Sequence, residues 1–305
     1  MDLFSSIWLG VLAFGAAVIN GAVGYGFSSI ITPIAILWYS NKVLNPALVM
    51  VEVAVNVTLL IRERRYIQFT WGRAKPVVMT LLPGVILGTI GLTYLAVNDV
   101  KVIVYATLLP LVLLQLVGFY RPFKNEARGA MAVGPGIGFL YALTTISGPP
   151  LALFLRNQGM SKDEFRCTIA QIRVAESSLT LGTYFVFSSL FGAKLITLPA
   201  ISLLPALIIA VVIGVPIGTL LLRSVSPEFF RRFVMAADAL LVSFGLSRVA
   251  VTLKWVSNEV AYILVIVAFA AIGVLSWFAL RTVRTPAPQA PDRNPPGPPS
   301  TKLRS

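Results

Sequence analysis

Histidine is absent from the 305 residues, and cysteine occurs once, at Cys167. The first absence removes imidazole metal ligands, Ser-His-Asp triads and Cys-His pairs from consideration. The second excludes an internal disulfide and any relay that needs two thiols. Charge is scarce too: 12% of residues are charged, about half the share usual in soluble proteins. Alternating short strands of the kind a β-barrel requires are not visible. No nucleophile–base pair can be recognised, so neither an enzyme nor a cofactor is expected. The opening MDLFSS has no basic n-region, and a cleaved signal peptide is not expected.

What fills the chain instead is apolar: 57% of residues are hydrophobic and the mean hydropathy is +0.84. Runs of roughly twenty apolar residues recur, each long enough to cross a ~30 Å hydrocarbon core. They predict a polytopic helical membrane protein. The net charge of +13 lies in short loops between these runs. That is the pattern of the positive-inside rule rather than of nucleic-acid binding.

The apolar segments fall near 7–39, 44–61, 76–97, 100–119, 130–155, 165–191, 195–222, 229–251 and 260–280. Two are anomalous. Residues 7–39 would form a helix of about 50 Å, too long for one span and too short for two with a loop. Gly21, Gly24 and Gly26 sit in its middle, in the stretch NGAVGYGFSSIITPIA. Segment 130–155 is broken similarly, by Gly134, Pro135, Gly136, Gly138, Gly148, Pro149 and Pro150. Read as single spans, both segments scatter the basic loops over two faces. Read as re-entrant hairpins, they place nineteen Lys and Arg on one side and five on the other, with Arg173 inside a helix. The charge rule favours hairpins, with the N-terminus outside and the C-terminus inside.

Each half then crosses the membrane an odd number of times, so the second half is inverted. GVILGT (84–89) matches GVPIGT (214–219), and ALVMVEVAVN (47–56) matches TIAQIRVAES (168–177), which sets Glu52 opposite Arg173. The expected fold is an all-α polytopic membrane protein of two inverted repeats. Each repeat is a glycine-broken re-entrant helical hairpin plus three transmembrane helices. The first repeat is placed at 1–120, the second at 121–252 and an additional transmembrane helix at 253–282. A disordered, proline-rich cytoplasmic tail is expected at 283–305. Inverted repeats with broken helices are a common build of secondary transporters, with the site where the breaks meet.

GAVGYGFSSIITP, the second copy ending in SGPPLALF, and the helix start FRCTIAQIR together resemble the TauE/SafE sulfite exporter family over about residues 8–250. Phe27 stands where that family often continues its first break with glycine. The resemblance implies transport of sulfite, a sulfonate such as sulfoacetate, or a related sulfur-containing anion.

In hydrocarbon, unwound backbone survives only where protein buries it or a cavity borders it. Gly24, Tyr25, Gly26, Phe27 and Ser28 in the first break, and Ser147 and Gly148 in the second, are therefore candidate substrate-binding residues. Two half-helix N-termini would converge there on an anion, with Ser147 as an N-cap and Pro149 in the first turn. The alternative is that the glycines allow close helix packing. VGYG mimics a potassium filter, but a filter needs a ring of copies. GPGIG (134–138) lacks the βαβ setting of a dinucleotide site.

Buried ionisable groups carry the sharpest signal, because each costs several kcal/mol unless paired or wetted. Arg173 either binds the anion through its planar fork or is neutralised by Glu176 one turn away. Glu52 is expected to pair with Arg173 when substrate is absent. Glu52, Glu176 and Asp238 are candidate coupling carboxylates for protons or sodium, Asp238 equally a hydrogen-bond partner between helices. Asn56, Gln171 and Ser177 are candidate polar lining. The expected protein is thus a secondary transporter of a small anion, in a bacterial cytoplasmic membrane. Its partners would be substrate, lipid and a coupling ion, with homodimer formation open and no nucleic acid or metal. An anion-selective channel on the same scaffold is the alternative.

Overall fold

The computed structural model describes residues 3–117, 126–156, 160, 162–221, 243–247, 249–251, 253–263, 265–267, 270 and 273. Among them every regular element is helical. In chain order these are α1 (Leu3–Val23), α2 (Phe27–Ala35), α3 (Asn41–Arg62), α4 (Ile67–Tyr94) and α5 (Val97–Val117). They are followed by α6 (Glu126–Thr144), α7 (Gly148–Arg156), α8 (Lys162–Leu190), α9 (Leu198–Ile201) and α10 (Leu204–Leu221). Among the described residues, three helical stretches, Asn41–Arg62, Arg64–Tyr94 and Leu198–Leu220, are long and apolar enough to cross a membrane.

Both anomalous segments are interrupted. The first breaks at residues 24–26, where Gly24 (φ +91°) and Gly26 (φ +111°) take left-handed conformations that side chains disfavour. The second breaks only at 145–147, where Thr145 adopts φ +62° without being glycine. Gly134, Pro135, Gly136 and Gly138, expected to break it too, lie inside unbroken α6. The helices that follow, α2 and α7, have nine residues each, about 13 Å of rise and half a bilayer core. The expected basic loop 62–75 is mostly helical: a 3-10 turn (Arg64–Tyr66) leads directly into α4 at Ile67. Its Phe69 and Trp71 face outward, as aromatic residues do at a membrane interface.

Specific contacts set the helix directions. Gly134 and Gly138 pack on Val77–Thr80 and Leu81–Val85, and Gly84 and Gly88 pack on Pro135–Phe139 and Phe139–Leu143, so α4 and α6 run parallel. Helices α1 and α10 repeat the arrangement. Gly10 meets Ala206, Gly214 meets Phe14, Ala17 and Val18, and Gly218 meets Val18. A side chain at any of Gly84, Gly88, Gly214 or Gly218 would collide with backbone of the facing helix. Ridge-to-backbone packing of this kind is how helices associate in lipid, where burial of apolar surface drives little. Helices α3 and α8 run antiparallel, because Glu52 meets Arg173 while Glu63, just past α3, meets Arg166.

These two helices are the centre of the fold. Leu44–Val49 of α3 and Cys167–Arg173 of α8 are buried all round. The outer helices are different: Met79, Leu87, Ile209 and Val212 are each about 60% exposed or more, continuous apolar surface that suits lipid. Asp238, the loop 223–232 and the tail 285–305 lie outside the described residues. Of the expected extra helix, 258–263 and 265–267 are helical.

Candidate functional site

The two breaks meet in the middle of the molecule. The Ser28 hydroxyl, at the start of α2, donates to the Thr145 carbonyl (2.5 Å), and the Thr32 and Thr145 hydroxyls lie 2.9 Å apart. Gly148, at the start of α7, faces Tyr25: a Cβ there would sit 3.0 Å from the Tyr25 ring and 3.6 Å from Arg173 Nη1. Gly148 therefore leaves room for the arginine. Phe27 packs in the apolar core directly behind the first break.

Arg173 is 2% exposed and its Nη2 donates to Glu52 Oε1 at 2.7 Å. The other oxygen of Glu52 accepts from the Tyr141 hydroxyl at 2.6 Å. The Tyr141 ring also lies under the guanidinium, 5.6 Å from its centroid to Cζ, a cation–π contact strengthened by the dry surroundings. Arg173 Nη1 reaches Ser147 Oγ at 3.4 Å, and that hydroxyl donates to Glu176 Oε2 at 2.6 Å. Arg173 thus forms its ion pair with Glu52 of α3, and Glu176 joins through Ser147. Ser147 holds the N-cap position of α7, its carbonyl accepting from Leu151 N. Its hydroxyl hydrogen goes to the Glu176 carboxyl group.

One cation thus faces two buried carboxylates. Among the described residues neither Glu176 Oε1 nor Asn56 Nδ2, both buried, has a hydrogen-bond partner. A buried polar atom left open costs about 1–3 kcal/mol.

Two expected lining residues make hydrogen bonds away from Arg173's side chain, although Gln171 Oε1 is buried with no partner among the described residues. Gln171 Nε2 donates to the Ile67 carbonyl and Thr70 Oγ1, tying α8 to the start of α4. Ser177 Oγ donates to the Arg173 carbonyl one turn back in its own helix. Tyr141, Thr145 and Thr32 were not anticipated from sequence. Tyr141 had one usable signal: it is a tyrosine four residues before a helix break in an otherwise apolar, glycine-rich helix.

The sequence profile of the family described as sulfite exporter TauE/SafE matches residues 9–245 of the chain. The chain belongs to that family. TauE/SafE proteins are membrane transporters rather than enzymes, and this TauE/SafE protein is accordingly a multi-pass membrane protein. The matched region contains both helix breaks, Glu52, Tyr141, Arg173 and Glu176. No curated protein and no solved structure matches the chain.

Proposed function

We propose that this TauE/SafE protein is a secondary transporter of a small sulfur-containing anion, sulfite or an organosulfonate such as sulfoacetate. It binds the anion at Arg173, between the two helix breaks, and works by alternating access. The observation that carries the reading is the buried Arg173–Glu52 pair, 2.7 Å long and lying where both breaks converge. A sulfonate or sulfite offers the same paired oxygens as a carboxylate, so it can take the place of Glu52 on the guanidinium fork. Glu52 is then the occupant of the empty site.

The architecture behind the reading is two inverted repeats, each a re-entrant hairpin followed by three spans. Its support is the matched packing. Glu52 and Arg173 correspond in the repeat and are 121 residues apart, and they face each other from antiparallel helices. Shifted by the same interval, Gly24 corresponds to Thr145, and both have positive φ. Phe14 and Val18, which face Gly214, correspond to Pro135 and Phe139, which face Gly84. Rocking one half against the other about this centre would expose Arg173 to each side in turn.

Charge points to a proton as the coupling ion. Arg173 with ionised Glu52 and Glu176 is already net negative, and adding an anion to a buried cluster is costly. A proton on Glu52 or Glu176 lets the anion enter, with Tyr141 and Ser147 holding whichever carboxylate stays ionised. The test is counterflow in proteoliposomes with labelled sulfite, taurine and sulfoacetate. Internal substrate should accelerate saturable uptake of the external label. Linear, non-exchanging flux would instead mean an anion channel.

A further inference from the structure

A second Arg–Glu pair bridges the same two helices nearer one end. Arg166 lies two helical turns before Arg173, about 10 Å along α8 and on nearly the same face. Its Nε is 3.7 Å from Glu63 Oε1, with the two side chains 19% and 16% exposed. The inner pair at Arg173 is tight and dry; this one is loose and wetted. Arg166 Nη2 is buried and has no hydrogen-bond partner among the described residues. The Arg166 side chain lies against Gly24: a Cβ there would sit 3.4 Å from Arg166 Cγ and 3.6 Å from Nε. Backbone of the first break is thus presented beside an incompletely satisfied cation.

Two more observations give the pair a direction. A cleft of about 600 Å³, lined by Ile61, Arg62, Glu63, Arg64, Arg65 and Tyr66, opens at Glu63. Three arginines at its walls draw anions toward it. On the other side, Tyr25 follows Gly24 in the chain and reaches toward Arg173. Its ring is 6.3 Å from that of Phe165, edge to face, and its other flank closes on Gly148 beside Arg173.

We propose that Arg166 is a second anion-binding station, between the Ile61–Tyr66 cleft and the central arginine. Glu63 occupies it when empty, as Glu52 occupies Arg173, and the Tyr25 ring is the partition between the two stations. The ligand is the same small oxyanion, so the proposal rests on the transporter reading above. An anion entering from the cleft exchanges Glu63 for itself, and movement of Tyr25 passes it on to Arg173.

Titration calorimetry of the purified full-length protein with sulfite separates the two ideas. Two sites per chain are expected, with one remaining in the double variant Glu52→Met with Arg173→Met, which leaves no unpaired buried charge, and one in Arg166→Gln. Loss of all binding in the folded double variant overturns the second station while the central site stands. No binding by the unaltered protein overturns both. In oriented proteoliposomes, Arg166→Gln should raise the half-saturating sulfite concentration roughly tenfold from the cleft side only. Arg166→Lys should recover part of the loss, and Glu63→Gln, which frees the guanidinium, should lower that concentration on the same side. An equal change from both sides, or none from either, also overturns the proposal.

Discussion

Glu52 and Arg173 stand 121 residues apart in the chain and 2.7 Å apart in the fold. Their helices are antiparallel, and each residue is the other's counterpart in the proposed internal repeat. A buried pair of this kind does not need to stabilise the protein, because desolvation of two charges offsets most of their attraction. It does make each partner dependent on the other.

Removing one partner alone should be severe. Glu52→Gln leaves Arg173 buried beside a neutral group and should cost about 3–5 kcal/mol of stability. The double change Glu52→Met with Arg173→Met should regain most of that stability and no transport. Thermal unfolding in detergent, read beside uptake, checks both. Recovery by Glu176→Met with Arg173→Met instead would mean that Glu176 is the energetically dominant partner.

Arg173→Lys keeps the charge and loses the fork. Loss of a charge-assisted hydrogen bond is worth about 1.5–3 kcal/mol, ten- to a hundredfold in affinity. Sulfite affinity should fall by that factor while the protein remains folded. Unchanged affinity would remove the guanidinium from the site and leave the two half-helix N-termini to hold the anion.

The breaks should tolerate no branched side chain. Gly148→Val would press on Tyr25 and crowd Arg173, and Gly26→Val would force φ +111° on a β-branched residue. Each variant should reach the membrane at near-normal levels and fail to transport. Near-normal uptake by either would reduce the breaks to packing features.

Glu176→Gln keeps the shape and fixes a neutral group opposite Ser147. Exchange of sulfite should persist, while accumulation driven by an imposed proton gradient should disappear. If accumulation survives, the coupling proton resides on Glu52 or the coupling ion is not a proton.

Sidedness can be read with single cysteines after Cys167→Ser. Cysteine in place of Lys42 should label from outside, and cysteine in place of Met160 should not. Equal labelling would make 130–155 an ordinary span and remove the inversion.

Hydropathy located the helices from α1 to α8, because a membrane leaves backbone few alternatives to a helix. Glycine marked the first break, whereas the second falls at residues 145–147, beyond the Gly134–Gly138 cluster. The pairing of Glu52 with Arg173 was legible too, since two matched decapeptides align them. The start of α4 was not. Basic residues 62–75 read as a loop by charge, yet nothing before Pro76 interrupts a helix there and the interface welcomes its aromatics. What only the tertiary structure decided is how each polar side chain is used. Gln171 and Ser177 have the composition of lining residues, but their hydrogen bonds go to α4 and to their own helix turn. Tyr141 carries no motif and holds both Glu52 and the face of Arg173. Arg166 reads as one more basic residue at a helix start until Glu63, Gly24 and Tyr25 are placed around it. These partners lie on other helices, up to 142 positions away in the case of Gly24. Sequence periodicity reports which face of a helix is buried, whereas a hydrogen bond across helices depends on register and rotation that are set only when the helices pack.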